Sequence, residues 1–222
     1  MYKLFGKTGL FAWIAMGTIL ANIQVVKQID FEVGNFVIAA TLGNIMYGTL
    51  FLVTDALGEK YGHKHALKAV QIGFFSLLAT VIVMQLALVF EPNAYDFAQG
   101  SLETIFGFLP RLALGSLLAY AVSQTFDVYF FQKIKEKKPG DKYLWLRNNG
   151  STIVSQLIDS IIFVPIAFAP IMLFGAEGLP WNVVWEIFIT TYLIKVIVAF
   201  LDTPFVYLIK KIQPIDDEKE FI

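Results

Sequence analysis

The chain has 222 residues and a mass of 24.9 kDa, the size of one or two ordinary domains, yet 57% of it is hydrophobic, 15% aromatic and only 16% charged, with a mean hydropathy of +0.65. Those proportions exclude a water-soluble domain and indicate a membrane protein. The 17 Lys and Arg nearly cancel the 18 Asp and Glu, so no basic excess suggests nucleic acid as a partner. Cysteine is absent, which removes disulfides, thiol nucleophiles and thiolate metal sites, and His63 with His65 cannot build a metal centre alone. Neither metal nor cofactor is expected.

Six apolar stretches are long enough to cross a hydrocarbon core of ~30 Å, for which about 20 helical residues suffice. They lie at 8–26, 36–54, 67–90, 110–131, 152–174 and 183–209. The expected fold is therefore all-α: one polytopic transmembrane domain over 1–222, a six-helix bundle with a short charged tail at 210–222. The first stretch is longer than a signal-peptide core and is followed by five more, so it reads as an uncleaved helix. Residues 102–109, just before Pro110, read as a short interfacial or re-entrant piece interrupted by Gly107.

Orientation follows from the basic residues between spans. Fourteen Lys and Arg fall in the N-terminus, the second and fourth connectors and the tail, against Lys27 alone in the other connectors; Arg111 and Lys195 lie within spans. Both termini are therefore expected in the cytoplasm. Trp181 and Trp185 at the start of the sixth span, and Tyr143 and Trp145 before the fifth, suit the two interfaces.

Polar residues inside the spans carry the functional information, because a charge at mid-bilayer costs at least ~2.5–3.5 kcal/mol and usually faces a partner or a cavity. Asp159, Lys195 and Asp202 qualify. Lys195 paired with Asp159 or Asp202 across neighbouring helices keeps the charges buried most cheaply, and the carboxylate left over is a candidate proton carrier. Asn148, Thr152, Ser155 and Asp159 are spaced 4, 3 and 4, one helical face, with Gln156 beside them. Ser123-Gln124-x-x-Asp127 on the fourth span echoes Ser155-Gln156-x-x-Asp159 on the fifth. On antiparallel neighbours these groups would line one cavity opening to the cytoplasm. The competing reading is helix glue, with hydrogen bonds worth ~0.6–2 kcal/mol each. Clustering favours the cavity. The candidate pathway residues are Asn22, Asn44, Arg111, Gln124, Asp127, Arg147, Asn148, Asn149, Ser155, Gln156, Asp159, Lys195 and Asp202.

Other features read as structural. Asp55-x-x-x-Glu59-x-x-Gly62-His63-Lys64-His65 resembles the acidic, Gly-and-basic loop of major facilitator transporters, but acidic caps before cationic turns are common in inner-membrane proteins. Gly17 with Ala21, and Ala12 with Met16, have helix-contact spacing on the first span. The basic run 133–138 reads as a solvated, topology-setting loop. No P-loop, His-Glu-x-x-His or nucleophile elbow occurs.

Several blocks together resemble the vitamin uptake transporter family of queuosine-precursor transporters: Leu20-Ala21-Asn22-Ile23 with Lys27, the segment 55–66, Pro110-Arg111, Ala119-Tyr120-x-x-Ser123-Gln124-x-x-Asp127-Val128, Tyr192-x-x-Lys195, and Thr203-Pro204-x-x-Tyr207. The most specific block is Leu146-Arg147-Asn148-Asn149-x-Ser151-Thr152-x-x-Ser155-Gln156-x-x-Asp159. The resemblance implies a multi-pass inner-membrane protein importing deazaguanine precursors of the modified tRNA nucleoside queuosine. A guanine-like edge offers N–H donors to a carboxylate and a carbonyl to Gln, Asn or Lys, while its face stacks on aromatics. Tyr47, Tyr120 and Tyr192, with Phe51 and Phe163, are the stacking candidates.

Partners expected are this nucleobase-like small molecule and the lipid bilayer, with proton coupling and homo-oligomerisation compatible and nucleic acid excluded. Two alternatives remain open at the sequence level. One is the substrate-binding membrane component of an energy-coupling-factor vitamin transporter, with the small residues of the first span as its docking face. The other is an intramembrane enzyme using Asp127 and Asp159 as an acid pair. The orientation is testable by labelling, since the chain has no native cysteine. A membrane-impermeant thiol reagent applied outside is expected to modify Asn93→Cys and spare Lys137→Cys; the reverse pattern would refute cytoplasmic termini.

Overall fold

The computed structural model describes residues 2–33, 36–138, 143–171 and 178–212. In chain order these form α1 (Tyr2–Gln24), β1 (Gln28–Val33), β2 (Phe36–Thr41), α2 (Gly43–Tyr61), α3 (His63–Val89), α4 (Gln99–Phe106), α5 (Leu109–Lys137), α6 (Leu144–Phe168) and α7 (Trp181–Lys211). Among the described residues, five segments are long and apolar enough to cross a membrane: Tyr2–Gln24, Lys64–Val89, Gln99–Asp127, Asn149–Phe168 and Trp181–Leu201. The protein is an all-α polytopic membrane protein carrying one two-stranded hairpin. Its exterior agrees: Phe75, Ile82 and Val89 of α3 are 73%, 61% and 78% exposed, which water would penalise and lipid accepts.

Two expected spans change shape. The stretch 36–54 divides, because Phe36–Thr41 is β2, paired antiparallel to β1 from Gln28↔Thr41 to Val33↔Phe36, and helix begins only at Gly43. The reason is legible in β1, where Gln28-Ile29-Asp30-Phe31-Glu32-Val33 alternates polar and apolar with the period of a strand. Its partner Phe36-Val37-Ile38 is aromatic and β-branched. Leu42 N–H closes the base of the hairpin on the Lys27 carbonyl at 2.8 Å. The stretch 152–174 shifts back: α6 starts at Leu144 and ends at Phe168. Ala169 is extended, at φ −72° and ψ 151°, as a residue preceding proline prefers, and Pro170 follows it. Residues 102–109 become the end of α4, a bend, and the start of α5, whose Pro110 sits in the first turn where its missing N–H costs nothing.

Contacts between helices establish which ends share a side. The Tyr2 hydroxyl is 2.9 Å from that of Tyr61, and Lys60 donates to the Ile212 carbonyl, so the start of α1, the end of α2 and the end of α7 meet. Both termini of the described chain therefore lie at one end of the bundle, and the hairpin lies at the other. Gly62 makes the α2–α3 turn at φ +91°, a conformation that costs side-chain-bearing residues steric strain.

α5 and α6 form the most extensive helix pair; α1 packs on α2 and α3, and α7 bridges α2 and α6. Leu112, Ala119, Phe163, Val164, Ala167, Val184 and Ile187 form a core among α5, α6 and α7, while Leu10, Ile14, Ala21, Leu50, Leu57 and Ala69 form another among α1, α2 and α3. Gly17 and Ala21 are buried against this second core, with Gly17 under Leu50 and Met46, whereas Ala12 and Met16 face outward. Of the small residues expected to form a docking face, Gly17 is thus covered by α2, while Ala12 and Met16 are not.

Gly43 is where α2 comes closest to α1: a Cβ there would lie 2.6 Å from the Ala21 carbonyl oxygen and 3.1 Å from the Val25 nitrogen, both backbone atoms that cannot swing aside. Gly43→Ala is therefore expected to destabilise the protein by about 1–3 kcal/mol, read as a lower melting temperature in detergent. Gly100→Ala, whose Cβ would meet nothing within 4 Å, is expected to leave the melting temperature unchanged or raise it.

Candidate functional site

α6 and α7 meet at the buried ion pair of Asp159 with Lys195, whose side chains are 19% and 8% exposed. Asp159 stands fifteen residues from the start of α6 and nine from its end, roughly 22 and 14 Å along the axis, deep in a helix that crosses the bundle. Of the two carboxylates expected to pair with Lys195, the structure brings Asp159 to it; the Asp202 side chain lies outside the described residues. A pair at this depth is stable only as a pair, because removing either member strands a charge in low dielectric.

The echoed motifs of α5 and α6 meet unequally. Ser155 Oγ donates to Asp127 Oδ1 at 3.1 Å and thereby ties the helices, with Asp127 opposite Ser155 and Asp159 one turn nearer the hairpin end. Ser123 instead donates to its own helix at the Tyr120 carbonyl, at 3.3 Å. Gln124 is half-buried one turn from Asp127. Arg147 and Asn148 are on the first turns of α6, and their side chains lie outside the described residues. Asn149 donates to the Trp145 carbonyl at 2.9 Å, leaving its Oδ1 buried and without a partner. The Gln156 Oε1 and the Ser160 Oγ are likewise buried and unpartnered.

Toward the hairpin end the polar groups satisfy one another. Asn22, fully buried on α1, donates to the Tyr47 hydroxyl at 2.9 Å and to the Thr18 carbonyl at 2.9 Å, and it accepts from Ser116 Oγ at 3.1 Å. The Tyr47 and Ser116 hydroxyls are 3.4 Å apart, so α1, α2 and α5 join in one ring of bonds. Asn44 donates to Thr191 Oγ1 at 3.2 Å, one turn of α7 before Lys195. The Tyr47 hydroxyl also lies within electrostatic reach of the Asp159 carboxylate, which connects the ring to the ion pair.

Other candidates are engaged elsewhere. Arg111 donates through Nε to the Ile166 carbonyl at 2.6 Å and through Nη2 to the Ala169 carbonyl, capping the end of α6 where a cation is favoured. Tyr120 packs on Phe74 of α3 with ring centroids 4.9 Å apart, and the Tyr192 hydroxyl donates to the Ile153 carbonyl at 3.4 Å. Among the three tyrosines named for stacking, Tyr47 belongs to the polar ring with Asn22 and Ser116. Among the described residues no cluster of His, Asp and Glu could hold a metal ion.

Three site residues escaped sequence reasoning. Ser116 was signalled by Ser116, Tyr120, Ser123 and Asp127, which repeat the 4, 3, 4 spacing of the fifth span. Ser160 follows Gln156 by one turn and adjoins Asp159; Thr191 precedes Lys195 by one turn. The arrangement presents hydrogen-bond acceptors along one face of α6, a carboxylate and an ammonium in mutual contact, and an aromatic hydroxyl. Such a set suits a small polar ligand with several N–H groups.

A family profile described as "Putative vitamin uptake transporter" matches residues 41–209. A "Probable queuosine precursor transporter" of Bacillus subtilis is 52% identical over 216 residues, covering 97% of this chain and 90% of the relative. A "Probable queuosine precursor transporter" of Haemophilus influenzae is 25% identical, covering 68% of this chain and 65% of the relative. The "Queuosine precursor transporter" of Escherichia coli is 26% identical, covering 58% and 55%. No solved structure matches the chain.

The ion pair makes a direct prediction. Lys195→Met is expected to lower thermal stability sharply, by about 3–5 kcal/mol, through the stranded Asp159 carboxylate. Adding Asp159→Asn should restore much of that loss, measured by thermal melting in detergent and read as a coupling energy in a double-mutant cycle.

Proposed function

Because the chain belongs to the vitamin uptake transporter family, we propose that it imports a queuosine precursor, a 7-deazaguanine-type nucleobase, across the cell membrane. The observation that carries this reading is the 52% identity over 97% of the chain to a relative named for that cargo. The site supplies chemistry of the right kind. Asp159 can accept the ring N–H of a guanine-like edge, and Lys195 can donate to its ring carbonyl.

In this reading α2 is the sixth span. It is 19 residues long, and it is too charged by composition, through Asp55, Glu59 and Lys60, to count as a span alone. It packs against α1, α3 and α7. The end carrying both termini faces the cytoplasm and the hairpin faces outward, supported by the distribution of Lys and Arg. The membrane is the inner membrane where a cell has two. Transport in this reading needs no catalytic step; Asp127 binds Ser155 and Asp159 binds Lys195. Proton coupling through a membrane carboxylate and assembly into homo-oligomers are both compatible with this architecture.

Cells unable to make the precursor and dependent on this protein are expected to accumulate cyano- and aminomethyl-deazaguanines and to form queuosine in tRNA, with unmodified guanine taken up poorly. Uptake no faster than in cells lacking the protein would refute the substrate class.

A further inference from the structure

The hydroxyl-bearing side chains of the bundle mostly bond back to their own helix. Thr18, Ser76, Thr80, Thr125 and Thr190 each donate to the carbonyl four residues earlier, at 2.7–2.9 Å. Ser160 does not, although the carbonyl of Gln156 stands in the same place relative to it. It is fully buried, and its Oγ is unpartnered among the described residues. One turn away, the Gln156 Oε1 is unpartnered as well. Residues four apart on a helix are neighbours on its surface, so the two oxygens can address one group.

Their position on α6 is also informative. Ser155 and Ile166 meet α5, through Asp127 and Gly115, and Ile153 meets α7 through Tyr192. At about 100° per residue, Gln156 and Ser160 fall between those two contact lines, facing the groove between α5 and α7 on the side of the Asp159–Lys195 pair. Helix glue would require a partner within the chain, and the described residues supply none for these two oxygens. A buried acceptor left unpaired is costly unless something fills it.

We propose that Gln156 and Ser160 form an amino-group subsite, in which the Gln156 Oε1 and the Ser160 Oγ each accept one N–H of an exocyclic amine on a flat heterocyclic ligand. An amino group on a flat ring carries two donors, which match two acceptors one turn apart. This assignment rests on the transport reading above and deepens it: it makes Ser160 a specificity-determining residue, separating 2-amino heterocycles from analogues without the amine. A site built to pair a donor discriminates strongly against a ligand lacking it, because its own buried acceptors then stay unpaired.

The test uses the full chain in lipid nanodiscs with 7-deazaguanine and 7-deazahypoxanthine, which differ by that amine alone. Wild-type protein should bind the amine-bearing ligand more tightly. Ser160→Ala is expected to weaken 7-deazaguanine binding roughly tenfold, equivalent to about 1.4 kcal/mol, and to reduce the preference between the ligands. The ligand-free melting temperature should stay unchanged or rise, since an unpartnered buried hydroxyl has been removed. Gln156→Leu should erode the same preference. Unaltered 7-deazaguanine affinity in Ser160→Ala, or a clear drop in its ligand-free melting temperature, would overturn the subsite while leaving the transport reading intact. Wild-type protein that binds neither heterocycle would overturn both.

Discussion

A lysine and an aspartate buried together inside a membrane-crossing bundle constrain everything around them. Neither Lys195 nor Asp159 tolerates the interior alone, so α6 and α7 must present them at a common depth. The neighbouring polar links align with that requirement. Thr191, one turn along α7, receives Asn44 from α2, while Tyr47 of the same helix bonds to Asn22 of α1 and Ser116 of α5. Polar links thus join five helices inside the bundle, and lateral packing must accommodate them.

That packing relies on small residues where backbones approach. Gly43 lets α2 begin against the carbonyl of Ala21, and Gly115 lies under Phe163 and Ile166 where α5 and α6 form their long antiparallel contact. Without a hydrophobic driving force between helices in lipid, such close approach and a few buried hydrogen bonds supply the association energy. The end of α6 is held in the same spirit by Arg111, whose guanidinium joins α5 to carbonyls that the helix leaves open.

Hydrogen-bonding capacity is distributed unevenly along the bundle. At the hairpin end, Asn22, Tyr47, Ser116, Asn44 and Thr191 bond to one another. Along α6, buried oxygens of Asn149, Gln156 and Ser160 have no partner among the described residues. The first group ties helices to one another, and the second is left without such ties among the described residues. Both are polar, buried and set on apolar helices, so residue type alone does not separate them.

The amino-acid sequence by itself determined the class of molecule, the apolar helices, the asymmetry of basic residues and the polar faces of the fourth and fifth spans, because those depend on local composition and on helical periodicity. It also held the signal for the hairpin, in the alternation of Gln28 to Val33, though the apolar run after it obscured where β2 ended and α2 began. The tertiary structure decided which polar residues are bound within the chain and which are not. Ser123 and Ser155 occupy equivalent motifs and both reach a carbonyl of their own helix, yet Ser155 also bonds to Asp127 across the helix pair; Arg111 and Lys195 are both cations within spans, yet one caps α6 and the other neutralises Asp159. Those differences arise from which helix stands opposite, a long-range property that the spacing of residues along one helix does not carry.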